Sequence, residues 1–245
     1  MDPETASGEA GISQLEGRIQ FGPDTLIAPG VVLGHPSKSR LLAQHSLVPG
    51  KVTIGARCIL RSGTVVYEDV VVGDDVQAAH HVIFRERCRI GPGCAFGNGA
   101  VVREDAVLGR NVRAMESVVI SEGAVIGDDV FIGPNVSLTA GRHMTGALEA
   151  GSIISRDEAV AREGRFWAGA SVVIEDQVRI CANAVILAGV RLGRGCVVAS
   201  GTVVSNDVPA GATVAGNPGR IIKQQSNSTM GTSAAAGHAV PHTGR

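Results

Sequence analysis

Residues 126–143 read IGDDVFIGPNVSLTAGRH. An Ile-Gly pair opens the stretch and returns six residues later, and the rhythm stops at a histidine. Cutting the chain every six residues from Ile54 gives fourteen gapless hexads over 54–137, from IGARCI to IGPNVS. The first position is Ile, Leu, Val or Phe in twelve of them and Ala in two; the fifth is always Val, Ala, Cys or Thr. A helix of 3.6 residues per turn cannot keep a six-residue column on one side, and plain alternation would not single out one position in six. A longer period lies on top. Ile54, Val72, Ile90, Leu108 and Ile126 are 18 apart, and each precedes a glycine, Gly55, Gly73, Gly91, Gly109 and Gly127. Three hexads therefore make one turn of a three-sided coil, its short parallel strands stacked about 4.8 Å apart. The glycine column marks an edge where a Cβ would obstruct the backbone. The same frame takes FGPDTL and IAPGVV at 21–32 and resumes at Ala168 with AGASVV.

Composition agrees with a narrow core. Of the 245 residues 44% are hydrophobic but only 3% aromatic, so small and β-branched side chains must fill the interior. The formal net charge of −1 gives no bulk reason to expect nucleic acid or an anionic membrane as partner. No run of 18 apolar residues predicts a membrane span. MDPETASGEAG at the start lacks the basic-then-apolar pattern of a secretory signal, so a cytoplasmic location is expected. Cys58, Cys88, Cys94 and Cys196 all hold fifth hexad positions and read as small core residues; Cys181 is at a second position, and no CxxC occurs.

Two stretches leave the register: HPSKSRLLAQHSLVPGK at 35–51, and a segment from about 141 to 166 with helical character around Asp157–Arg162. Such insertions at the corners of a solenoid are where binding residues are sought. Residues 1–11 and 224–245 read as disordered ends around a single domain at 12–223; His238 and His242 fall in the second of them. Glu68, Glu86, Glu104 and Glu122 are third in their hexads and 18 apart, with Arg85, Arg87 and Arg103 beside them. They read as a solvated, salt-bridged edge.

Residues 184–222, AVILAGVRLGRGCVVASGTVVSNDVPAGATVAGNPGRII, together with the hexads resemble the hexapeptide-repeat acyltransferases, close to the sugar and nucleotide-sugar O- or N-acetyltransferases. That resemblance implies an all-β fold, a left-handed parallel β-helix with insertions at about 35–51 and 141–166. It also implies acetyl-CoA as co-substrate, no required metal, and a homotrimer with the cofactor between neighbouring subunits. Gly219 stands where the family usually has Ala. By the same resemblance Ala188, Ser205 and Asn217 line the cofactor, and Arg220 and Lys223 meet its phosphates. GPNVSLTAGRHMTG follows the family's segment ending Thr-Ala-x-His-Pro, with Arg142 as an extra residue and Met144 in place of Pro. Carried over, His143 is the general base that takes a proton from an acceptor amine or hydroxyl, and Asn135 orients it or binds the sugar. Asn135 also reads as a turn residue. QAAHHVIFRE at 77–86 resembles a stretch of longer relatives, which places His80 in the acceptor pocket. His80 and Asn98, both third in their hexads and 18 apart, should stack at one corner; His81 reads as structural. Two other readings remain at this point, a non-catalytic scaffold and a γ-type carbonic anhydrase-like zinc enzyme. The second needs three imidazoles around one metal, which adjacent His80 and His81 with a remote His143 do not supply.

Overall fold

The computed structural model describes residues 18–45, 47–140 and 171–224. Its strands form two eight-stranded sheets and one of ten. Face A runs from Ile19–Phe21 to Arg191–Leu192, face B from Leu26–Ile27 to Thr213–Ala215, and face C from Val32–His35 to Val203–Val204. Successive strands visit A, B and C in turn, so each face stacks every third strand in parallel. Ile90 pairs with Val72 on one side and Leu108 on the other, the 18-residue spacing expected of the coil. Face B ends differently. Arg220–Lys223 turns back and pairs antiparallel with Thr213–Ala215.

Within a hexad, the first and fifth side chains point inward and the sixth outward. The core is one continuous column of Val, Ile, Leu, Ala, Cys and two Phe from Val52 to Val214. Fifth-position Cys88 and Cys58 donate their thiols to the carbonyls of Arg103 (2.9 Å) and Gly73 (3.1 Å) on the next coil. Burial pushes the Cys88 thiol up to about 12, and those of Cys94 and Cys196 to about 11. These are inert packing groups, as their place in the hexad predicts.

The corners divide their work between two positions. The fourth residue turns the chain: Arg57, Asp75, His81, Asn111, Asn135 and Asn183 all have φ between +56 and +60. The second-position glycines make room instead. A Cβ on Gly91 would sit 2.3 Å from the Gly109 carbonyl oxygen. Gly91→Ala should therefore destabilise by about 1–3 kcal/mol, because backbone must move. Gly195, at the left-handed fourth position (φ +65) with nothing near it, should accept Asn within about 0.5 kcal/mol. Urea denaturation of both variants checks the pair; equal losses would refute the division of labour.

The first insertion is not pure loop. It contains a helix, Lys38–Gln44, which Ser37 caps by accepting from Arg40 N–H at 3.3 Å and His45 ends in a left-handed conformation. The architecture remains the expected β coil, with this one short helix at its insertion. Among the described residues no helix is long and apolar enough to cross a membrane.

Candidate active-site edge

Both insertions use one corner of the coil, the edge between faces C and A. The chain departs there after His35 and regains face A at Val52–Ile54. It departs again after Ala140, and Val173–Ile174 of face A pairs with Val125–Ile126 as though nothing intervened. His143 and the whole 141–166 insertion lie outside the described residues. The place where that segment starts is well defined. Thr139 accepts the Ala188 N–H on its side-chain hydroxyl at 2.9 Å, locking the departure point to the next coil. One coil earlier, Ser121 is 3% exposed and its Oγ has no hydrogen-bond partner among the described residues. A buried hydroxyl without a partner costs free energy, and native proteins seldom keep one without a use.

The N-terminal half of the same edge carries the glutamate column, and here the sequence reading needs correction. The edge is salt-bridged, but at Glu68 and Glu86 the carboxylates are buried and only the rest of the column is partly solvated. Glu86 is 4% exposed and takes two bonds from Arg85, at 2.6 and 3.0 Å. Arg103 grips Glu104 through two 3.2 Å bonds. Arg87 reaches up one coil to Asp105 instead of pairing with Glu86. Arg85 also lies 4.8 Å over the ring of Tyr67, which tilts against His35 at 4.7 Å. Glu68 latches the first insertion. Its carboxylate accepts Ser37 N–H at 2.9 Å and pairs with Arg40 at 2.5 Å.

Burial by itself would raise the Glu68 pKa, but the bonds from Ser37 and Arg40 outweigh it and hold the carboxyl below the usual range. The folded-state value is thus depressed. The latch contributes fully above the ordinary glutamate range and is lost as pH falls through the folded-state value. Glu68→Gln should cost about 1.5–3 kcal/mol at neutral pH and flatten the acid limb of stability. Hydrogen exchange at Leu41 and His45 N–H should rise with it; unchanged protection would rule the latch out.

His80 and Asn98 occupy a different edge, between faces B and C. They stack as expected: His80 N–H donates to Asn98 Oδ1 at 3.0 Å, and His80 Nδ1 meets Ser62 Oγ at 2.8 Å. The backbone bond is a general device of this coil. Asp74 accepts from Ala56 N–H and Asp128 from Arg110 N–H in the same way, each at 2.9 Å. Asn98 thus serves as a rung link. Asn135 is exposed on this second edge in the left-handed turn position, and its N–H donates to Glu116 O at 2.9 Å.

The five candidate cofactor residues fall on both sides of the C-terminal end of face C. Ala188, 4% exposed, and Ser205 sit one coil apart on the C–A edge. Asn217 belongs to a turn that closes face C, where Gly216 O accepts from Val203 N–H and Gly219 N–H donates back to Val203 O. Arg220 and Lys223 are exposed on the terminal strand of face B. Among the described residues no three His, Cys, Asp or Glu side chains converge as a metal site. Thr139, Ser121 and the Glu68 latch were missed in the sequence. A polar residue at a second hexad position was the signal for the first two.

Residues 105–140 and 171–206 match the family model for the bacterial transferase hexapeptide, six repeats. The model's break falls where the chain leaves the C–A edge. Those two stretches carry the hexapeptide repeat, and the three parallel sheets have the architecture of the parallel β-helix that such repeats form. Among characterised proteins it is similar to the 2,3,4,5-tetrahydropyridine-2,6-dicarboxylate N-acetyltransferase of Staphylococcus aureus (strain JH9), 46% identical over 94 residues. That match covers 38% of this chain and 33% of the relative, so it spans only a third of the relative's length. An Arabidopsis UDP-N-acetylglucosamine acyltransferase shares the fold at 19% identity, with a TM-score of 0.51, over 84% of this chain and 70% of that one. A hexapeptide-repeat acetyltransferase from Vibrio cholerae, solved with acetyl coenzyme A, is 28% identical over 59% of this chain and 71% of its own, with a TM-score of 0.38.

Proposed function

We propose that this protein is an acetyl-CoA-dependent acetyltransferase that acylates the amine or hydroxyl of a small acceptor, a sugar or nucleotide-linked sugar. The 46% identity to a named N-acetyltransferase carries the reading. The C–A edge supports it: the chain that goes on to His143 leaves this edge at Ala140, next to Thr139, which bonds the cofactor candidate Ala188. In this reading the thioester lies along the C-terminal coils with its phosphates toward Arg220 and Lys223. His143 takes the acceptor's proton as the nitrogen or oxygen attacks the carbonyl carbon. The carbon–sulfur bond then breaks, and coenzyme A leaves as its thiol, taking up the proton. Asn135, His80 and Asn98 face the acceptor across the B–C edge of a neighbouring subunit in a homotrimer. A cytoplasmic location accompanies this reading.

The test is thiol release from acetyl-CoA with a panel of amino sugars, nucleotide sugars and cyclic dicarboxylates. Turnover with a sugar supports the whole proposal. Turnover with the dicarboxylate alone keeps the acyl transfer and removes the sugar. Silence with every acceptor, and no binding of acetyl-CoA, favours the scaffold.

A further inference from the structure

Eight arginines are matched to carboxylates: six at the corners of the coil, Arg57 with Asp75 and Arg194 with Asp176 among them, Arg40 on the insertion helix, and Arg191 on face A. Face B breaks that pattern. Its outward sixth positions run Arg113, Phe131, Arg179 on three successive coils, with Arg113 and Arg179 each in register with Phe131. Both arginines are exposed, and among the described residues neither side chain has a hydrogen bond or an ion pair. Phe131 is 37% exposed between them. The arginine–aromatic stack in the described residues is Arg85 over Tyr67, so the Phe131 ring is not capped by a guanidinium. Continuing along face B come half-buried Val197 and Thr213, then exposed Arg220 and Lys223.

We propose that the Arg113–Phe131–Arg179 column is a binding site for a nucleoside phosphate. Two unpaired guanidiniums about 10 Å apart along the axis, with an open aromatic face between them, match a phosphate group joined to a planar base. Guanidinium forks take phosphate oxygens in pairs, and a base stacks on an aromatic face whatever its identity. A second copy of the chain fits the column less well. Among the described residues, no outward sixth position on any face carries Asp or Glu. A neighbouring sheet face would thus leave both cations unneutralised. Two sources share the required chemistry, the adenylate end of the acyl carrier and a nucleotide-linked acceptor. The inference borrows from the acyl-transfer reading only these two sources; its test needs no turnover.

The test is calorimetry on the full chain with adenosine 3′,5′-bisphosphate, UDP and inorganic pyrophosphate. Arg113→Ala and Arg179→Ala should each weaken nucleotide and pyrophosphate by about tenfold. Phe131→Ala should weaken nucleotide by about tenfold and leave pyrophosphate unchanged. Arg61→Ala, an exposed arginine on the B–C edge, should change nothing. Displacement of the bisphosphate by coenzyme A assigns the column to the carrier. UDP binding in the presence of saturating coenzyme A assigns it to the acceptor. The proposal falls if no probe binds at millimolar concentration, or if the three variants keep wild-type affinities. It also falls if they alter only the oligomeric state, which would make the column a contact between copies. Since all three side chains point outward, thermal melts should match wild type and confirm that the variants fold.

Discussion

Replacing His143 with alanine lowers kcat/KM for acetyl transfer by about 10²- to 10⁴-fold and leaves coenzyme A affinity at the wild-type value. The geometry of the coil supports so local an effect. Ala140 is fixed to the C–A edge beside Thr139, whose hydroxyl holds the Ala188 amide at 2.9 Å. His143 is three positions beyond Ala140 in the sequence, and a fully extended chain covers at most about 3.6 Å per residue. A reach of about 11 Å from Ala140 takes in the edge that carries Ala188 and Ser205. His80 belongs to the other side of face C, where Ser62 already engages its Nδ1. The expected signature has two parts. The wild-type rate should rise with pH as the base loses its proton, and that limb should vanish in the alanine variant. Calorimetry with coenzyme A should give the same affinity for both. Full turnover in the variant would mean that solvent or the acceptor itself handles the proton. A parallel loss of cofactor affinity would make His143 a binding residue.

The difference between what the sequence discloses and what it hides follows from period. Wherever neighbours are 18 apart, arithmetic finds them: the His80–Asn98 stack, the glutamate column and the inward cysteines all follow from counting. Where an insertion intervenes, counting fails. Phe131 and Arg179 are adjacent on face B, yet as with Asp128 and Asp176 the separation is 48, because residues 141–170 lie between. The helix at Lys38–Gln44 had a Ser37 cap in plain view. It spans only seven residues, too few for an apolar period to register, and its latch Glu68 is 28 residues from Arg40. Burial of Glu86 was hidden for another reason. A third-position residue is at a corner, and only the fold of Arg85 back over it removes it from water. Composition cannot disclose which corners are covered.

Phe84→Ala carries the largest stability loss expected in the coil, about 3–5 kcal/mol. Over 54–137 the hexad frame has two exceptions at the first position, Ala78 and Ala114, and both are explained by one bulky neighbour. Phe96 lies between them on face B, in register with each. The two small residues make room on adjacent coils for its ring. Phe84, fully buried on face C of the preceding turn, meets that ring edge-on with centroids 4.9 Å apart. The narrow interior thus keeps its volume by concentrating it: two rings at one level, alanine above and below. Removing Phe84 loses its own transfer free energy and the edge-to-face pairing. It also opens a cavity that the stiff backbone ladder cannot close, because each strand is pinned to both neighbours. Phe84→Leu should recover most of the loss, and Ala78→Leu, which adds bulk beside Phe96, should cost about 1–3 kcal/mol. Urea denaturation of the three variants tests the arrangement. A loss below 1 kcal/mol for Phe84→Ala would show that the coil relaxes around the gap, and the packing argument for the paired alanines would fall with it.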